Sequence, residues 1–271
     1  MAPNLNPDAR AQGDCLDTLI TAAEADESIA IVGAQILLED GATRNAGANP
    51  LHPTGISPSG GFGEAREDGP PRDVMVVSGA CFLARRDAFR ELGGLAHDLF
   101  LYYDDVNLCW RAQLAGRRVV YCPRATVTHG YEFSGRGGKW FLLERNRLYT
   151  VLSHYEARTL ALLAPLLLAT EAGILAAAAG GGWLTEKLRA YASLWRMRRE
   201  LLAQRRRVQA SRRRSDAELM ALFDDRLDSA LMPKAATSVA NLFAVPYLAL
   251  VRRLRAGQPR PGGGQTEVPR R

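Results

Sequence analysis

The sequence predicts an α/β fold over residues 1–155, an α-helical extension over 156–254, and a disordered tail over 255–271. Three observations carry this. Short β-branched runs, IAIVGAQIL at 29–37 and VMVVSGACFLAR at 74–85, alternate with segments of helical apolar spacing. After Tyr155 the strand-like runs stop, and apolar, basic and again apolar stretches follow. The last residues are Pro, Gly and Arg, a composition that cannot bury a core. The 271 residues are 47% hydrophobic and 24% charged, which excludes a disordered chain, a collagen-like repeat or a disulfide-stapled mini-protein.

Element by element, LDTLITAAEAD (16–26) has the spacing of a helix, and 29–37 that of a buried strand. Residues 39–72 are rich in Gly, Pro, Asn and Ser and predict a long functional or mobile loop. The strand 74–85 is broken at Ser78-Gly79, and Asp87 reads as the N-cap of a short helix stopped by Gly93-Gly94. Residues 105–115 predict a helix closed by Gly116, then RRVVYCP and ATVTHG two short strands, and 139–155 a long helix. The apolar stretch 159–184 carries one acid, Glu171, with Pro165 and Gly180–Gly182. Helices in the membrane interface, a buried helical hairpin and a true span all compete there. A basic helix over 185–214, an acidic helix over 216–231 and a second apolar helix from 236 follow.

The formal charge of +6 is uneven: −5 over 1–184, +9 over 185–214, −3 over 215–251 and +5 over the last twenty residues. An acidic body with a basic appendage points to an anionic surface. Because apolar stretches flank the basic one, anionic membrane through residues 159–214 is the expected partner, and nucleic acid is not. The start, MAPNLNPDAR, lacks the n- and h-regions of a signal peptide, and the four cysteines form no C-x-x-C pair. Reduced thiols and a place at the cytoplasmic face of the plasma membrane are the expectation.

Two clusters could carry chemistry. Asp104 and Asp105 stand side by side where a tyrosine-rich segment enters a helix, near the positive end of its dipole. There a carboxylate can serve as a general base, with His129 returning from a strand end. The alternative is an N-cap and an ordinary strand-end histidine. Asn6-Pro7-Asp8 aims two oxygen-bearing side chains to one side of a fixed proline, which suits Mg²⁺ or Mn²⁺ but equally a plain turn.

Taken in order, LNPDA (5–9), VSGACFLARRDAF…LGG (77–94), LYYDDVNLCWRAQLAGRRVVYCPRATVTH (101–129) and ERNRLY (144–149) resemble family-2 glycosyltransferases of the GT-A fold. The rhamnosyltransferase-like members that build bacterial cell walls are the most similar. The resemblance implies that Asn6 and Asp8 hold the metal and the nucleotide-sugar diphosphate, with His129 completing the metal site. It implies that Ser78, Gly79 and Ala80 line the donor and acceptor pocket. Asp105 would be the catalytic base beside Asp104, with Arg145 and Asn146 also assigned to donor or acceptor binding. The implied activity is inverting, metal-dependent transfer from a nucleotide-diphospho-sugar to a glycan or lipid-linked acceptor.

Asp104 stands where the family more often has Glu, Leu95-Ala96 where it has Phe-Asp, and Asn107 where Asp is frequent. The family's first nucleotide-binding units precede the motif found here at residue 6, so the sequence reads as the C-terminal part of the GT-A domain. Two rival readings follow: an inactive truncated relative, and a basic membrane-binding helical module without catalysis.

Overall fold

The computed structural model describes residues 1–130, 138–228, 230 and 232–256. Its first elements are β1 (Ala2–Leu5), β2 (Ala9–Ala11), α1 (Cys15–Glu24) and β3 (Ile29–Leu37). The short strands β4 (Arg44–Ala46), β5 (Ala48–Asn49), β6 (Arg72–Asp73) and β7 (Val76–Val77) lead to β8 (Cys81–Ala84) and α2 (Arg86–Glu91). Then come α3 (Asp104–Leu114), β9 (Arg118–His129) and α4 (Lys139–His154). The extension holds α5 (Ala157–Gly180), α6 (Leu184–Arg196), α7 (Arg198–Ser211), α8 (Asp216–Leu219) and α9 (Lys234–Ala256).

The β-branched run of β3 is buried at all nine residues and forms the centre of a mixed sheet ordered β1-β8-β3-β9-β2. β3 runs parallel to β9 and antiparallel to β8. On one face, Val32, Ala34 and Ile36 meet the α1 stripe Cys15, Leu19, Ala22 and Ala23. On the other, Ile31 joins the core around Trp110 of α3. Gly33 leaves room for β7, since a Cβ there would lie 2.3 Å from Val77 Cβ.

Several expected boundaries move. The two strands expected at 118–129 are one strand, with a register shift opposite Ala34–Gln35. Pro123, which has no N–H to donate, lies in this interruption, and Gln35 Nε2 donates to its carbonyl at 2.7 Å. The 39–72 loop contains β4 to β6 and is tied by Arg44 to Glu64 and, at 3.0 Å, to Glu67. Arg85, not Asp87, is the N-cap of α2, and its guanidinium donates to the carbonyls of Ile29 and Ala23. The acidic helix ends after one capped turn, because Phe223 turns in to pack on Trp110 with ring centroids 5.2 Å apart. The basic helix is two helices broken at Met197. The tail expected to be disordered lies, from residue 257 on, outside the described residues.

The extension attaches through charge as well as packing. Leu163, Val208, Leu219 and Leu248 belong to the same core as Ile31 and Trp110. Beside it, Arg147 of α4 pairs with Glu144 at 2.7 Å and with Glu171 of α5. Lys187 of α6, fully buried, reaches Glu144 at 2.5 Å and Glu171 at 2.7 Å, and Tyr191 donates to Glu171 at 2.5 Å. Two carboxylates and two cations thus balance in one cage. The acid that interrupts the apolar stretch faces this cage. A buried hairpin at 159–184 is not what forms: α5 is one helix, with 6% of its most apolar window buried.

Candidate active site

The site is assembled by backbone bonds at the ends of β1, β7 and β8. The Asn6-Pro7-Asp8 segment is a turn closed by the Ala9 N–H on the Asn6 carbonyl at 3.0 Å. The Asn6 N–H donates to the Ala80 carbonyl at 2.9 Å, and Asn4 Nδ2 donates to the Gly79 carbonyl at 2.7 Å. Both bonds hold the Ser78-Gly79-Ala80 loop against the turn. From the far side, the Gly79 N–H donates to Asp105 Oδ2 at 2.8 Å. A Cβ on Gly79 would lie 3.2 Å from Asp105 Cβ, so the absence of a side chain lets Asp105 approach. Asp8, on the exposed side of the turn, meets buried His129, with Nε2 and Oδ1 3.0 Å apart. Antiparallel pairing of Ala9 with His129 sets that approach.

Asp104 and Asp105 open α3. Burial raises the Asp104 carboxyl above its usual range. At Asp105 burial and then the Asp104 charge outweigh the N–H groups of Gly79 and Val106, and push it up to about 6. A carboxylate poised there is ionised at neutral pH yet basic enough to accept a proton.

The approach to this pair is strained. Phe100 (φ 64°, ψ −57°) centres a γ-turn in which the Leu101 N–H reaches the Leu99 carbonyl at 2.8 Å. Tyr102 and Tyr103 also have positive φ, 64° and 65°. Aromatic residues pay for such backbone at about 1–3 kcal/mol each, and persist there only where the surroundings over-determine them. No glycine marks these positions, so the conformation has no local signature; Asn4 was likewise missed, one asparagine among several polar residues.

Arg145 and Asn146 bond the loop that leads into α3. Both are buried, and Asn146 Nδ2 donates to the carbonyls of Leu99 (3.0 Å), Leu101 (2.8 Å) and Tyr102 (2.8 Å). Arg145 Nε donates to Asn146 Oδ1 at 2.8 Å, and its Nη2 to the Leu99 carbonyl at 2.7 Å. These bonds tie the pair to the loop backbone before Asp104.

Among the described residues no three His, Cys, Asp or Glu side chains form a metal-binding group. Asp8 and His129 offer one carboxylate and one imidazole, donor types that could hold part of the shell of a divalent ion.

Residues 67–149, which hold the 78–80 loop, both aspartates, His129 and the Arg145-Asn146 pair, match the model of Glycosyltransferase like family 2. This segment is similar to family-2 glycosyltransferases. Its mixed sheet with helices on both faces is the α/β architecture expected of a GT-A domain. Two curated relatives, both N-acetylglucosaminyl-diphospho-decaprenol L-rhamnosyltransferase from Mycobacterium tuberculosis strains, are 45% identical over 58 residues. That match covers 21% of this chain and 19% of each relative. A crystal structure of GalNAc-T7 with UDP, GalNAc and Mn2+ aligns with a TM-score of 0.46 at 14% identity, over 62% of this chain and 34% of that one.

Proposed function

We propose that this family-2 segment serves an inverting transfer of a sugar from a nucleotide-diphospho-sugar to a hydroxyl of a cell-wall, surface-polysaccharide or lipid-linked acceptor. The observation that carries it is the half-buried Asp105 carboxylate, held by the Gly79 N–H at the mouth of α3. An acceptor hydroxyl is a poor nucleophile until its proton is taken. Asp105 accepts that proton while the hydroxyl oxygen bonds to the anomeric carbon. The bond to the diphosphate oxygen breaks on the opposite face, and the carbon inverts. Asp104 keeps the Asp105 carboxylate basic by its charge. Asn6, Asp8 and His129 would hold a Mg²⁺ or Mn²⁺ ion, which supplies charge neutralisation to the leaving diphosphate. Ser78, Gly79 and Ala80 form the wall between the base and that diphosphate.

Titration of this chain with Mn²⁺ and a UDP- or dTDP-sugar, followed by calorimetry, tests the reading. Metal-dependent binding is expected; no binding of any nucleotide-sugar supports the inactive relative instead.

A place on the cytoplasmic face of the membrane is part of the proposal, on its own observation. α5 and α9 are both long and apolar enough to cross a membrane, yet only 6% and 28% of their most apolar windows are buried. They lie together, with the Tyr247 hydroxyl on the Leu162 carbonyl at 2.6 Å, and expose Leu168, Leu242 and Phe243. Glu171 is held in the cage on the protein side, which favours α5 lying in the interface with the basic α6 and α7 beside anionic headgroups. Co-sedimentation should rise with the phosphatidylglycerol content of vesicles; binding indifferent to that content overturns the basic helices' part.

A further inference from the structure

We propose that Asn146, backed by Arg145, is the positioning residue of the base: its amide holds the strained loop 99–103 in the one conformation that delivers Asp105 to Gly79. The inference rests on the reading of Asp105 as base. Its evidence is independent geometry.

Loop 99–103 turns on three aromatic residues at positive φ, a backbone that they do not adopt unaided. What over-determines it comes from α4. One carboxamide meets three carbonyls, those of Leu99, Leu101 and Tyr102, which lie either side of the γ-turn. Only in this tight turn do those carbonyls converge on a single point. The Asn146 oxygen is taken by Arg145 Nε, which fixes which end of the amide faces the loop. Arg145 Nη2 adds a second donor to Leu99, and one helical turn on, the Tyr149 hydroxyl donates to the Asp98 carboxylate at 3.0 Å. Arg147, between them, is anchored in the ion cage and donates to the Thr54 carbonyl at 2.9 Å, so α4 itself is fixed from behind. Directly after the gripped loop, Tyr103 is the N-cap of α3 and Asp104 and Asp105 are its first two residues. A loop relaxed to negative φ would rotate the start of α3 and withdraw Asp105 Oδ2 from the Gly79 N–H.

Asn146→Asp is the sharpest change, because a carboxylate of the same shape replaces three donor contacts by repulsion with three carbonyls. Asn241→Ala is the control: its amide also binds backbone, accepting from the Leu227 N–H and donating to the Leu227 carbonyl, but far from the loop. Amide exchange by mass spectrometry on the intact chain reads the effect without needing turnover. In Asn146→Asp, exchange across 98–106 should rise at least tenfold while peptides of β3 and β9 stay within twofold; Asn241→Ala should leave 98–106 unchanged. Arg145→Lys, which keeps a charge but loses the fork, should raise the same segment about threefold, and it serves if Asn146→Asp does not fold. Where the protein turns over, kcat should fall at least thirtyfold in Asn146→Asp with the donor KM within twofold. Loop exchange unchanged in both variants, or rising in step with β3 and β9, overturns the proposal. Specific loosening of the loop in a chain that never binds nucleotide-sugar would uphold the grip on the loop and reject only the transferase reading.

Discussion

Replacing Glu171 by leucine tests whether the apolar helix α5 is fastened to the catalytic body by charge. Arg147 and Lys187 have side chains 1% and 0% exposed, and they share Glu144 and Glu171 between them. In Glu171→Leu two buried cations face one carboxylate, and an uncompensated buried charge costs about 3–5 kcal/mol. For a chain of this length that lowers the melting temperature by roughly 6–20 °C. The double variant Glu171→Leu/Lys187→Met removes one charge of each sign and leaves the Glu144–Arg147 pair three residues apart on α4. It should recover at least half of the loss, since apolar replacement of a balanced buried pair is often close to neutral. Thermal unfolding followed by far-ultraviolet circular dichroism in mild detergent reads both. A single variant melting within 2 °C of the parent, or a double variant no better than the single, would refute the cage as the attachment.

Other outcomes follow from the same geometry. In the active protein the acid limb of kcat/KM should have its midpoint near pH 6, because Asp105 must be ionised to accept a proton, and Asp104→Asn should move that limb to lower pH. A limb unmoved by Asp104→Asn would reject the charge coupling. Burial pushes His154 down to about 3 and His52 to about 4, so both are neutral in the fold. Unfolding exposes them to protons below their ordinary value near 6.5; stability should therefore be full above that pH and fall as pH drops toward 4. Denaturant midpoints measured at pH 7, 6, 5 and 4 check this, and His154→Gln should flatten the slope. Gly33→Ala drives a Cβ into Val77 Cβ and should cost roughly 1–3 kcal/mol, and Val77→Ala, which keeps that Cβ, should not restore it. Equal stability of Gly33→Ala and the parent would contradict the packing of β7 on β3.

The sheet and its first helices were readable because burial leaves a local trace. β3 is a continuous β-branched run, and α1 has its apolar residues at helical spacing, so each declared its own geometry. The site was readable in part. Asp105 stood out as an acid entering a helix, and the turn at Asn6-Pro7-Asp8 from its proline, although only the fold brings both to the 78–80 loop. Arg145 and Asn146 were noticed, but not their grip on the loop, since a buried amide and a binding amide look alike in sequence. Their true partners are backbone carbonyls more than forty residues away. The positive-φ loop was invisible because Phe100, Tyr102 and Tyr103 carry no glycine signature. Glu171 looked like a defect in an apolar helix until Arg147 and Lys187 converged on it. The break at Met197 has no proline or glycine behind it, and nothing in the structure explains its position.

The central claim is that Asp105 takes the acceptor proton. Asp105→Asn keeps the shape of the side chain and an oxygen for the Gly79 N–H, but removes the basic group. Turnover of a nucleotide-sugar and hydroxyl acceptor by the parent and the variant, in the protein that carries the complete transferase domain, measures that group alone. A fall in kcat of about 10²–10⁴, the range of general-base catalysis, is expected, with nucleotide-sugar binding retained. Turnover within a few fold of the parent would contradict it.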